Sequence, residues 1–308
     1  MKRALRILAA FFLALALPLA AQQPVPAPVT PPVKDTHEEF LATADEVLKE
    51  VSELLGLPVR APLKKSLRSR DDIRAYLVKQ FQEEKNEEKR YADQKVLEKF
   101  GLIPKDFALD EFLIELLTEQ VAGLYDPRTK EFYVAESIAP QELRMVMSHE
   151  LVHALQDQHF DLKTWSEAAR PNDDAELARH SVLEGAAIAG MLEYMLREQK
   201  ISIKDLPDIE QFIRSQMLAE LDKQSSMGKA PAFIRDSLLF PYFAGTAYTQ
   251  KLLRAGGSWE KFYGVFEKPP ASTHQILHPD LYLSGETLPP VTLAAASGTV
   301  PADWKKLD

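Results

Sequence analysis

Residues 145–162 read MVMSHELVHALQDQHFDL, and this stretch decides how the rest of the chain is read. It carries His149, Glu150 and His153 in the order H-E-x-x-H. The apolar residues Met145, Val146, Leu151, Val152 and Leu155 recur at helical spacing. That predicts an amphipathic helix over residues 140–158, with the two histidines on another face. Positions i and i+4 of an α-helix lie about 40° apart around its axis. The two imidazoles therefore point the same way, one turn apart, and can meet one Zn²⁺ at roughly 2.0–2.1 Å. Glu150 follows His149 by about 100° of rotation. Its carboxylate falls beside the metal rather than on it, where it can hold and deprotonate a zinc-bound water.

A catalytic zinc site needs a third protein ligand. The chain has no cysteine, so disulfides and thiolate sites are excluded and the ligands must be His, Asp or Glu. Downstream, residues 179–195 read RHSVLEGAAIAGMLEYM. Glu184 lies there in a helical run of small and apolar residues, where a carboxylate must be paired, ligated or at the surface. The small neighbours Gly185, Ala186, Ala187 and Ala189 would let this helix approach the H-E-x-x-H helix closely. His180, one turn before Glu184, is an alternative ligand or a support for it. His159 is six residues past His153, but Gln156 stands where a tight turn toward a third histidine needs Gly. Asp157, one turn past His153, either orients that histidine or serves the helix end.

Reading outward, the chain is mainly helical. Residues 37–55 carry Phe40, Leu41, Val47, Leu48, Val51, Leu54 and Leu55 at helical spacing, closed by Gly56 and Pro58. One or two charged helices are expected over 71–100, and others at 109–121, 173–199, 207–226, 232–255 and 258–266. Between them, VAGLYDPRTKEFYVAES holds two β-prone runs around Asp126-Pro127-Arg128-Thr129-Lys130, which predicts a hairpin at 122–134. The fold class is thus mainly α with a small β-hairpin, α+β. The proline-rich last 40 residues or so are expected to be mainly irregular.

Residues 1–21, MKRALRILAAFFLALALPLAA, place Lys2, Arg3 and Arg6 before an apolar run and then small residues. This is the pattern of a secretory signal peptide cut after Ala21, so a secreted or periplasmic protein is expected. Residues 22–34 form a Pro-rich linker, and 35–308 form one domain, with 35–105 an N-terminal helical subregion or a prosegment. No later segment is apolar enough to span a membrane. The net charge of −9 argues against a nucleic-acid partner.

The chain resembles the gluzincins, thermolysin-type zinc peptidases with H-E-x-x-H on one helix and a ligand Glu on a following one. The resemblance implies a zincin-like architecture and one Zn²⁺ per chain held by His149, His153 and Glu184, with Glu150 as general base. It further implies a peptide or protein substrate laid along a strand that precedes the active helix, here Gly123–Tyr125 or Phe132–Val134. One departure stands out: Ile188 occupies the position where thermolysin-like enzymes carry Asp. The segments SHELVHALQDQHFDL, LEGAA and PPASTHQILHPDLY also resemble a set of secreted bacterial metallopeptidases, over residues 105–285. A Tyr or His usually stabilises the oxyanion of such a reaction. His274, His278, Tyr242, Tyr248 and Tyr282 are the candidates, and the resemblance favours His278 of the His278-Pro279 pair. The expected function is a secreted zinc metallopeptidase. Its rivals are a non-catalytic zinc-binding envelope scaffold and a zinc amidohydrolase of cell-wall material.

Overall fold

In the computed structural model, which describes residues 36–83, 87–219 and 225–286, the H-E-x-x-H helix is the element on which the others pack. The sequence-predicted signal peptide and Pro-rich linker lie outside the described residues, as do 287–308. The chain opens with α1 (Thr36–Leu55) and β1 (Lys64–Arg68), then α2 (Arg70–Glu83), α3 (Glu87–Lys99) and α4 (Leu109–Gln120). The hairpin follows as β2 (Gly123–Asp126) and β3 (Glu131–Ala135). Next come α5 (Pro140–Phe160), α6 (Leu162–Glu167) and α7 (Asp173–Leu196). After α8 (Glu210–Ala219) and α9 (Ser226–Lys229) stands the long α10 (Ala232–Gly256). Four short helices close the described chain: α11 (Trp259–Phe262), α12 (Gly264–Glu267), α13 (Thr273–Leu277) and α14 (Pro279–Ser284).

The protein is mainly helical with one small sheet of three strands in the order β1-β3-β2. β2 and β3 pair antiparallel from Gly123↔Val134 to Asp126↔Glu131. β1 was not expected from the sequence, because KKSLR carries no apolar alternation. It forms because β3 offers a second edge, on which β1 pairs in parallel from Lys64↔Glu131 to Arg68↔Ala135. Glu131 helps hold it, accepting from Ser66 Oγ at 2.7 Å and from Arg68 at 2.9 Å. Because β3 is paired on both sides, Phe132–Val134 cannot be an open edge, and that expectation is corrected. β2 is the outer strand on the other side.

α5 is also not amphipathic. Every residue from Met145 to Asp157 is buried. Met145 and Val146 pack with α4, α7 and α10, while Leu151, Val152 and Leu155 pack with α1, Tyr125 and Phe132. A helix covered all round carries apolar residues on more than one face, so the stripe read from the sequence was part of a wider pattern. Helix α1 belongs to this shared core through Phe40, Val47, Val51 and Leu55. Pro140 at the first position of α5 suits the start of a helix, since its missing N–H has no partner to lose there. The expected helix over 258–266 is broken into α11 and α12. Within the C-terminal segment expected to be irregular, α13 and α14 are ordered turns of helix. No helix among the described residues is long and apolar enough to cross a membrane.

Candidate metal centre

α5 presents His149 and His153 on one side, and α7 brings Glu184 against them. One ligand atom from each of the three lies within 4.8 Å of the others. Glu184 Oε2 is 3.3 Å from Nε2 of His149 and 3.5 Å from Nε2 of His153. All three side chains are buried, Glu184 and His149 at 0% exposure and His153 at 4%. The second carboxylate oxygen, Oε1, contacts Nε2 of His180 at 3.1 Å. His180 thus supports Glu184 from one turn earlier on the same helix, leaving Oε2 turned to the pair on α5. On the other ring nitrogen of His153, Nδ1 lies 3.4 Å from the Gln156 side-chain oxygen, which leaves Nε2 for the shared point.

Two close approaches set this arrangement. Gly185, beside Glu184, meets Gly245 of α10: a Cβ on Gly185 would lie 2.0 Å from the Gly245 carbonyl carbon. α7 also approaches α5 closely, as its small residues led one to expect, with Ala187 packed among Leu151, Val152 and Leu155 and with Gly190 as the tightest point, where a Cβ would lie 2.7 Å from Val152; Gly185 itself serves the crossing with α10. The crossing at Gly245 carries Tyr242, one turn earlier, into the site. Its ring stacks on His149 with centroids 6.4 Å apart and 25° between planes.

Glu150 is fully buried. Its Oε2 accepts a hydrogen bond from the backbone N–H of Tyr125 at 2.8 Å, on the outer side of β2. Its Oε1 has no hydrogen-bond partner among the described residues, and neither do Nε2 of His153 and Oε2 of Glu184. A buried polar atom without a partner is costly, and His153 Nε2 and Glu184 Oε2, 3.5 Å apart, can share one. A divalent cation is such a partner, and two imidazoles with one carboxylate are a donor set that zinc takes. The residues present therefore fit a metal ion.

The electrostatics agree with a site built for positive charge. Burial pushes the Glu150 carboxyl up to about 8, against the pull of His153. Burial also raises the cost of ionising Glu184, yet the charge of His153 and contacts from His149, His153 and His180 hold it well below the usual carboxylate range. Burial lowers His149 to about 4. Burial pulls His153 down, but the charge and contact of Glu184, with Glu150 and Gln156, together raise it. The Tyr242 hydroxyl is held well above its ordinary value by burial and by the charges of Glu184 and Glu150, so it stays a proton donor.

The remaining sequence-predicted residues lie elsewhere. His278 is exposed at the start of α14 and packs on His274, centroids 4.6 Å apart. The reason is local: α13 is one short turn, and His278 ends it at the surface. Tyr248 and Tyr282 pair with each other at 5.5 Å. His159 contacts the Pro58 carbonyl at 2.8 Å. Asp157 does not orient His153; it accepts from Tyr125 Oη at 2.5 Å, Lys130 Nζ at 2.6 Å and the Leu162 N–H at 3.0 Å. The reading from sequence missed the Tyr125 backbone contact, which no side-chain pattern signals, and Gln156, whose i,i+3 spacing from His153 could have shown it. Compared with protein-family models, with curated proteins and with solved structures, the chain matches none.

Proposed function

We propose that the protein is a zinc-dependent hydrolase of peptide bonds, with the small sheet and α5 arranged as in a zincin. The observation that carries this reading is the carboxylate of Glu150. A purely structural metal site closes with a fourth ligand, whereas this one sets a buried carboxylate beside three ligands and leaves one of its oxygens without a partner. His149, His153 and Glu184 would hold the ion, which when bound supplies Lewis-acid polarisation of the scissile carbonyl and of water. Glu150 takes the proton of the attacking water through Oε1 and delivers it to the leaving amine. Its raised affinity for a proton suits it to both halves of that transfer. Tyr242, protonated and stacked on His149, donates to the developing oxyanion in the role first sought at His278. β2, though the outer strand, is buried along α5 and gives its outward Tyr125 N–H to Glu150, so the substrate edge expected at Gly123–Tyr125 is covered. The N-terminal sequence supports export of the enzyme.

The test is cleavage of a labelled peptide mixture by the full chain and by Glu150→Gln, with zinc measured in both. The reading expects zinc in both proteins and cleavage by the wild type alone. Equal cleavage by the two, or none by a fully zinc-loaded wild type, would overturn it.

A further inference from the structure

Tyr125 grips α5 at two points seven residues apart. Its backbone N–H holds Glu150 Oε2 at 2.8 Å, and its phenol donates to Asp157 Oδ2 at 2.5 Å. Seven residues are two helical turns, roughly 10 Å along the axis, so the strand is pinned along α5 as well as across it. Asp157 is an unusual anchor. It is buried in the last turn of the helix, where the macrodipole disfavours a negative charge. Three donors hold it there: Tyr125 Oη, Lys130 Nζ and the Leu162 N–H. Lys130 reaches it from a left-handed backbone position, φ 56°, where Gly or Asn is less strained. A charged side chain at that turn position and a buried acid at that helix end both find their reason in the same contact.

We propose that Tyr125, Asp157 and Lys130 form a clamp that positions Glu150. With the phenol fixed on Asp157, β2 cannot slide along α5, and the Tyr125 N–H stays level with the Glu150 carboxylate. That N–H takes one oxygen and so sets the rotamer, which leaves Oε1 as the oxygen not committed to the protein. Gly123 allows the strand to sit this close: a Cβ there would lie 2.6 Å from Val146 and 3.2 Å from the Glu150 Cγ. The clamp's hydrogen bonds run to Glu150 and among the three residues themselves. They are positioning residues, and their effect runs through Glu150.

The inference rests on Glu150 being the base, but one arm of its test does not. Tyr125→Phe and Asp157→Asn are made in the full chain, and amide exchange at Tyr125 is followed by NMR beside zinc content and peptide cleavage. The Tyr125 N–H points away from β3, so its protection reports the bond to Glu150 and not the sheet. The clamp predicts wild-type zinc content, an exchange rate at Tyr125 raised by about tenfold or more, and kcat lowered about 10- to 100-fold with KM little changed. Unchanged protection at Tyr125 in both variants would overturn the clamp. So would protection lost alike across the β2–β3 ladder, which would make the contact merely structural. If the wild type cleaves no peptide, the hydrolase reading fails, and the exchange arm still decides whether the clamp exists.

Discussion

Replacing Gly245 with Ala tests the helix crossing that builds the site. A Cβ at that position would stand 2.0 Å from the Ser181 carbonyl oxygen and 3.1 Å from the Gly185 nitrogen. Both are backbone atoms, so no rotamer change relieves the overlap. α7 and α10 must part by on the order of 1 Å in a close-packed interior. Overpacking of this kind costs about 1–3 kcal/mol, and a clash with backbone belongs at the upper end. Ala in a helix interior returns about 1 kcal/mol through propensity. The overlap wins, with a net loss of about 2 kcal/mol. For a chain of 308 residues, at about 2.1 cal/mol/K of unfolding entropy per residue, that lowers the melting temperature by about 3 °C. Scanning calorimetry of the metal-free full chain measures it. Gly185→Ala should behave alike, and the double variant should lose less than the sum, because one separation relieves both clashes. Zinc affinity should fall in each, since Glu184 adjoins Gly185 and Tyr242 precedes Gly245 by one turn. A Gly245→Ala protein that melts at or above the wild-type temperature would refute the close crossing.

Other outcomes follow from the same geometry. His180→Ala should weaken zinc binding by about 10- to 100-fold, because it removes the contact that turns Glu184 Oε2 toward the histidines; competition with a chromophoric chelator measures this, and unchanged affinity would remove His180 from the site. Zinc uptake near neutral pH should release protons. In the metal-free chain burial lowers His153 but Glu184 and Glu150 together raise it, and burial raises Glu150 to about 8; a cation at the site favours the deprotonated form of each. Affinity therefore rises as pH rises through neutrality. Calorimetry in two buffers of different ionisation enthalpy counts the protons, and a count of zero at pH 7 contradicts the charge assignment. Tyr242→Phe should retain zinc and lower kcat by about 100-fold, through loss of one oxyanion donor; a loss of zinc instead would give Tyr242 a structural role.

Much of this molecule was legible because its long helices carry periodic apolar residues. The spacing of His149, Glu150 and His153 placed them on one helix, and the isolation of Glu184 among small residues marked it as a buried acid with a task. What stayed hidden depended on partners distant in sequence. β1 is a strand only because β3 presents an edge, and its lysines and arginine gave no signal of their own. The placement of Tyr242 against His149 depends on the Gly185–Gly245 crossing, which no single helix encodes. His278 was favoured by resemblance rather than by any force in the chain, and it lies at the surface. Of the two roles open to Asp157, the helix-end one is present in its contact with the Leu162 N–H, while its donors from the hairpin, Tyr125 and Lys130, leave no local signal.

The central claim is that three side chains from two helices hold one metal ion. Its most direct test is an equilibrium zinc titration of the metal-free full chain against the Glu184→Ala variant, both verified as folded. The account predicts one tight site in the wild type and an affinity lower by more than about 100-fold in the variant, since two ligands remain of three. Equal affinity in the two proteins, or no zinc bound by either, would contradict it.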